Sequence, residues 1–255
     1  RPPPAPAAPR PRGGPGGVAP QPAANDMLPD MRMYKLYGLM VRRTSGGRKW
    51  LRFGTRAFNI GDGPLEVRGS LPAGGEMTTL EQWIADDQGG GRLVDSADGG
   101  MFWAGDGHAH WHIEQFINVE IFKKRRLART RLMRKIGFCL IDLVRSGNPP
   151  PGTPPKSVYG YNACGTSASA PSIKMGISVG YADDYQPLIA HQWIDVTNLP
   201  RGVYRLCAKV NPLGHWVESD TSNNFFWHDV FLNPAINKVV IRGSGRTRCG
   251  SYPGS

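Results

Sequence analysis

Apolar and polar positions alternate along much of this chain with a period of two, the period of half-buried strands rather than helices. Trp50-Leu51-Arg52-Phe53 and Ala57-Phe58-Asn59-Ile60 carry the alternation, and Gly61-Asp62-Gly63-Pro64 then turns the chain into Leu65-Glu66-Val67. These segments read as strands joined by tight turns. Residues 113–122 continue the pattern as an extension of the strand before them, and residues 136–141 read as a buried strand. Residues 192–196 and 203–210 read as a strand pair across a Pro-Arg-Gly turn, and residues 225–232 close the domain. Residues 78–84 admit two readings. Thr78-x-x-Glu81 is a capping box with helical spacing of Leu80, Trp83 and Ile84, whereas the Gly89-Gly90-Gly91 turn before Arg92-Leu93-Val94 makes a hairpin. Short strands at this spacing predict an all-β, β-sandwich-like single domain.

The first 26 residues break the pattern. They are Pro, Ala and Gly with almost no apolar bulk, so they cannot bury enough surface to offset the entropy of ordering, and they read as a disordered tail or linker. The domain then runs over residues 27–250, with residues 251–255 as a C-terminal tail. Lys and Arg number 31 against 20 Asp and Glu, a net charge of +11, which points to an anionic surface polymer or nucleic acid as partner. No recognition-helix or RNA-binding signature accompanies the charge, which disfavours nucleic acid. Eight basic residues fall within residues 123–135: Lys123, Lys124, Arg125, Arg126, Arg129, Arg131, Arg134 and Lys135. A solvated hairpin tip is the plainer reading of that run, and an anionic binding patch the sharper one. No apolar run approaches the roughly 18 residues of a transmembrane segment.

Chemistry enters at Gly107-His108-Ala109-His110-Trp111-His112. Alternation on a strand would send His108, His110 and His112 from one face. Three neutral imidazoles suit copper, zinc, nickel or iron and leave coordination positions open, the pattern of a catalytic rather than a closed structural metal. The four cysteines, Cys139, Cys164, Cys207 and Cys249, include no Cys-x-x-Cys pair, so zinc-ribbon and thioredoxin readings fail. Two disulfides fit better. Of three pairings, loop order favours Cys139–Cys164 across the Pro-rich insert around residues 148–155, with Cys207–Cys249 tying down the C-terminus. Disulfides imply an oxidising compartment, hence a secreted or extracellular protein, and the Pro-rich spacer suits cell-wall association.

These residues also carry a resemblance. His108-Ala109-His110-Trp111-His112, then Lys135-Ile136-Gly137-Phe138-Cys139-Leu140-Ile141-Asp142, then Gln192-Trp193-Ile194-Asp195-Val196-Thr197 resemble, in order, the blocks of the lysyl oxidase family. Val217-Glu218-Ser219-Asp220-Thr221-Ser222-Asn223-Asn224 resembles its C-terminal stretch. The resemblance implies an oxidoreductase, a copper amine oxidase that turns primary amines, peptidyl lysine among them, into aldehydes with dioxygen, releasing ammonia and hydrogen peroxide. It implies copper at His108, His110 and His112, and a lysyl tyrosylquinone made from Lys135 and Tyr185, with Tyr181 as the rival tyrosine. Joining lysine to ring needs an unprotonated amine, which Arg134 and burial would favour. Asp183 and Asp184 are the nearest acids for a general base, although adjacent carboxylates ordinarily form a solvated turn. Four cysteines and a Pro/Gly-rich tail are similar to bacterial members of the family. The alternative from another class is an exported metal-binding or adhesive β-sandwich in which no quinone forms.

Overall fold

The computed structural model describes residues 21–70, 80–96, 100–104, 108–124 and 128–250, and these form an all-β fold of four antiparallel sheets. The largest sheet is organised on β4 (Lys49–Asn59), in the order β13 (Val144–Arg145), β15 (Tyr181–Tyr185), β4, β16 (Trp193–Asp195), with β2 (Met31–Met33) and β3 (Tyr37–Arg43) also pairing with β4. The second runs β1 (Asp26–Met27), β6 (Leu80–Asp86), β5 (Leu65–Ser70), β14 (Ser172–Ile177), with β7 (Gly91–Asp95) on β6. The third runs β11 (Ala128–Leu132), β10 (Ile117–Lys123), β17 (Gly202–Val210), β18 (Phe225–Asn233), β19 (Lys238–Gly245). The smallest places β9 (Trp111–Glu114) between β12 (Gly137–Phe138) and β8 (Met101–Trp103). Among the described residues the only helical pieces are two single 3₁₀ turns, Tyr161–Cys164 and Pro234–Ile236. One hydrophobic core joins the sheets, with Phe53, Phe116, Phe138, Leu51 and Leu206 all sealed from solvent.

Several strands differ from the reading of the sequence, each for a local reason. The two alternating segments before Gly61 are one strand, β4, because Gly54 lets it run unbroken beneath the Tyr37 ring, which occupies the space a Cβ would need. The ambiguous segment is the β6–β7 hairpin; Thr78 lies outside the described residues. The apolar run from residue 113 to 122 is two strands in different sheets. Gln115 turns the chain with φ +53°, and its N–H donates to the Ile136 carbonyl at 2.7 Å. In the 136–141 segment only Gly137 and Phe138 pair as a strand, and Ile136 is exposed. β16 and β17 do not pair with each other. β17 buries Tyr204, Leu206, Cys207 and Ala208 and lies inside its sheet, with β10 on one edge and β18 on the other, while β16 joins β4. β19 follows β18 as a further strand, within the expected domain but unmarked by the alternation. Asp26, placed in the tail by composition, pairs with Asp86 and takes an ion pair from Arg92 at 2.6 Å.

The basic run is a hairpin, β10–β11, whose tip at residues 125–127 lies outside the described residues. Its charges have different fates: Lys124 pairs with buried Asp229 at 2.8 Å, Arg134 is exposed, and Lys135 is buried. Disulfides join Cys139 to Cys164 and Cys207 to Cys249. No described helix is long and apolar enough to cross a membrane.

Candidate metal centre and active site

The site is assembled where β9, β12 and β15 approach one another. The strand carrying the histidines begins only at Trp111, so His112 projects from β9 while His108 and His110 reach it from the preceding segment. One face of one strand is therefore not what gathers them. The chain before β9 is steered instead by the Ala104 N–H, which donates to the His110 carbonyl at 3.0 Å, and by the buried Trp111, whose indole N–H donates to the Ser167 carbonyl at 3.0 Å. The three rings still converge: their ligating nitrogens lie within 4.8 Å of one another, and Nε2 of His110 stands 2.9 Å from Nε2 of His112.

That spacing bears on a metal. Two imidazole nitrogens each about 2.0–2.1 Å from one ion come to about 3 Å apart when they are adjacent ligands. Nitrogens facing each other at 2.9 Å must share a proton or a cation. A donor set of three imidazoles with no thiolate suits copper(II). The set is also held from behind. Gly137 packs against His112 so closely that an added Cβ would come within 2.6 Å of Nδ1, and Phe102 meets the same imidazole edge to face at 5.6 Å.

β12 links this cluster to the second pair of predicted residues. Gly137 touches His112, and its neighbour Phe138 meets Tyr185 edge to face at 5.0 Å. Lys135, two residues earlier, extends its ammonium over the Tyr185 ring, 4.8 Å from the centroid, and 5.2 Å from that of Phe138. Both members of the pair are buried, Lys135 at 6% and Tyr185 at 7% exposure. The Tyr185 hydroxyl donates to the Cys139 carbonyl at 2.7 Å, and burial pushes it well above the ordinary phenol range. Tyr181 lies on the same strand, but its hydroxyl donates to the Pro154 carbonyl at 3.3 Å. The structure thus brings Lys135 to Tyr185.

The loop carrying Cys139 is itself fixed by Asp142. Its carboxylate accepts the N–H groups of Val158, Tyr159 and Ser178 and the Ser178 hydroxyl, at 2.7–3.1 Å. Composition alone does not distinguish that anchor from any other Asp.

The adjacent acids are not a solvated turn. They lie in β15, where neighbours face opposite sides. Asp184 accepts the Tyr37 hydroxyl at 2.7 Å and Arg56 Nε at 2.9 Å. Asp183 is 1% exposed and sits beside the Tyr185 hydroxyl, and burial pushes its carboxyl well above the usual range, with the Lys135 charge acting the other way. A carboxylate therefore faces Lys135, so the cationic surroundings expected from Arg134 are only part of the field at that amine.

Comparison with known proteins gives a concordant picture. A family model described as lysyl oxidase matches residues 100–240. The chain is 31% identical over 121 residues to protein-lysine 6-oxidase of Sus scrofa, covering 46% of this chain and 41% of that one. To protein-lysine 6-oxidase of Homo sapiens it is 30% identical over 127 residues, 48% of this chain and 26% of that one. Lysyl oxidase homolog 2 of Gallus gallus is 27% identical over 184 residues, 71% of this chain and 18% of its own length. The matched regions thus span less than half the length of each of these relatives.

Proposed function

The chain belongs to the lysyl oxidase family, and from that premise we propose that it is a copper- and quinone-dependent amine oxidase. Its substrates would be primary amines, including peptidyl lysine; with dioxygen and water they yield an aldehyde, ammonia and hydrogen peroxide. His108, His110 and His112 would hold the copper. When bound, copper supplies the oxidation of a nearby phenol to a quinone by dioxygen.

The chain's own residues do the rest. The Cys139 carbonyl fixes the Tyr185 hydroxyl and so orients the ring. Phe138 packs edge to face against that ring and, with the burial of the pair, keeps bulk water from it. Lys135 waits over the ring as the nucleophile that would complete a lysyl tyrosylquinone, an electrophilic carbonyl able to take a substrate amine covalently. Two disulfides support a secreted or extracellular location. The basic hairpin supports an anionic surface polymer, such as a cell wall, as partner.

One observation carries the reading: a buried lysine nitrogen 4.8 Å from the centre of a buried tyrosine ring, although fifty residues separate the two in sequence. The test is to load the protein with copper in air and look for quinone absorption, redox-cycling staining, and one tryptic species joining the Lys135 and Tyr185 peptides. Lys135→Ala and Tyr185→Phe are each expected to abolish amine-dependent peroxide while copper stays bound. Retained turnover in Tyr185→Phe would move the cofactor to Tyr181 or remove it altogether, and a copper-loaded wild type that gives neither quinone nor peroxide would be a metal-binding sandwich instead.

A further inference from the structure

Asp183 precedes Tyr185 by two residues on β15, so both side chains leave the same face of the strand. Its Oδ1 accepts the Asp184 backbone N–H at 2.9 Å, whereas Oδ2 is buried and accepts no hydrogen bond. Native proteins keep few buried polar atoms in that condition, because the lost hydration is uncompensated. The ionisable groups facing Asp183 are the Tyr185 hydroxyl, Lys135 and Asp184, and Asp184 is already engaged by Tyr37 and Arg56. The Tyr185 proton is committed to the Cys139 carbonyl. A buried carboxyl with one oxygen that accepts no hydrogen bond therefore lies in the field of the Lys135 charge and beside the ring that the amine must attack.

Burying a carboxylate and an ammonium together costs the hydration of both, and moving one proton from nitrogen to oxygen removes both charges at once. In water the difference between ordinary lysine and aspartate pKa values forbids that transfer. In a buried site it becomes accessible, and desolvation raises the Asp183 carboxyl in the direction required.

We propose that Asp183 is the proton acceptor that frees Lys135 to bond to the oxidised ring of Tyr185, making Lys135, Asp183 and Tyr185 one cross-linking unit. The proposal rests on the amine-oxidase reading above. Nζ hands its ammonium proton to Asp183 Oδ2, and the freed lone pair forms a C–N bond to a ring carbon of the quinone. One N–H proton and the displaced ring C–H proton pass to the two quinone oxygens, reducing the ring to the aminocatechol level. Dioxygen then removes two electrons and two protons, becoming hydrogen peroxide and restoring the quinone.

The experiment follows cross-linking itself rather than amine turnover. Full-length wild type, Asp183→Asn and Asp183→Glu are loaded with copper, exposed to air, and sampled over time for the joined Lys135–Tyr185 peptide by mass, with copper content measured in parallel. At pH 7 Asp183→Asn should bind copper but cross-link about 100-fold or more slowly, the scale of a lost general base. Raising the pH toward about 10, where lysine deprotonates unaided, should restore most of the rate. Asp183→Glu should cross-link within about tenfold of wild type. Cross-linking of Asp183→Asn at the wild-type rate, or a deficit that high pH does not lessen, overturns the proposal; the second result would mark Asp183 as merely structural. Wild type that never cross-links is a different result, and it overturns the amine-oxidase reading.

Discussion

Replacing Gly137 with alanine should weaken copper binding although Gly137 is not a ligand. Its Cβ would stand 2.6 Å from His112 Nδ1 and 2.5 Å from Phe102 Cζ, each about 0.8–0.9 Å short of the 3.4 Å at which ordinary contact begins. The two rings flank the same spot, edge to face at 5.6 Å, so neither can yield without the other repacking. Metal–ligand distances tolerate only about 0.2 Å, so a His112 displacement several times larger pulls Nε2 from its shared position 2.9 Å from that of His110. Losing the support of a ligating histidine typically costs 10–100-fold in metal affinity, about 1.4–2.7 kcal/mol. Overpacking should cost about 1–3 kcal/mol of fold stability besides. The assay is anaerobic copper titration against a competing chelator, with thermal unfolding alongside. Gly147→Ala is the control, because a Cβ there meets nothing within 4 Å. If Gly137→Ala held copper within twofold of wild type, the placement of His112 against β12 would be wrong.

Further outcomes follow from other parts of the molecule. Replacing Cys139 and Cys164 together by serine should cost about 3.5 kcal/mol in chemical denaturation, the chain-entropy value for a 25-residue loop; a loss below about 1 kcal/mol would show that the bridge constrains little. Burial pushes Glu218 up to about 7 from 4.5, so the folded chain binds more protons than the unfolded one between those values. Stability from this group is therefore full below about pH 4.5 and declines by up to about 3 kcal/mol as pH rises through 7, and Glu218→Gln should flatten that slope; an unchanged slope refutes the assignment. With a net charge of +11, turnover of small diamines should improve as salt rises, and turnover of lysines on acidic polymers should worsen. Identical salt profiles for the two would remove the basic surface from substrate capture.

Strands were legible where a sealed face alternates with a half-buried one, as in β4, because that condition writes alternation into the chain. Boundaries were lost where a single residue redirects the backbone. Gln115 at positive φ ends β9 with no Gly or Pro to signal it, so two strands in separate sheets read as one. Pairing was lost wherever partners are distant: β17 sits between β10 and β18, and nothing in the turn before it says so. β19 escaped notice because it is an edge strand whose apolar residues are mostly half exposed.

The site divides along the same line. Metal chemistry demands particular residue types within a few positions, so the three histidines were visible, although the path that gathers them is not a single strand. Lys135 and Tyr185 were visible only as members of recognised blocks, since no local spacing relates residues fifty apart. Asp183 was hidden by a habit of inference: two adjacent carboxylates suggest a solvated turn, and on average they are one. A strand inverts the consequence, because its neighbours must part company. One carboxylate goes to Arg56 and Tyr37, and the other is driven into the pocket of Lys135 and Tyr185 with one oxygen unbonded. A pair of like charges in a strand flanked by buried tyrosines at 181 and 185 is therefore better read as one charge spent on structure and one held for chemistry.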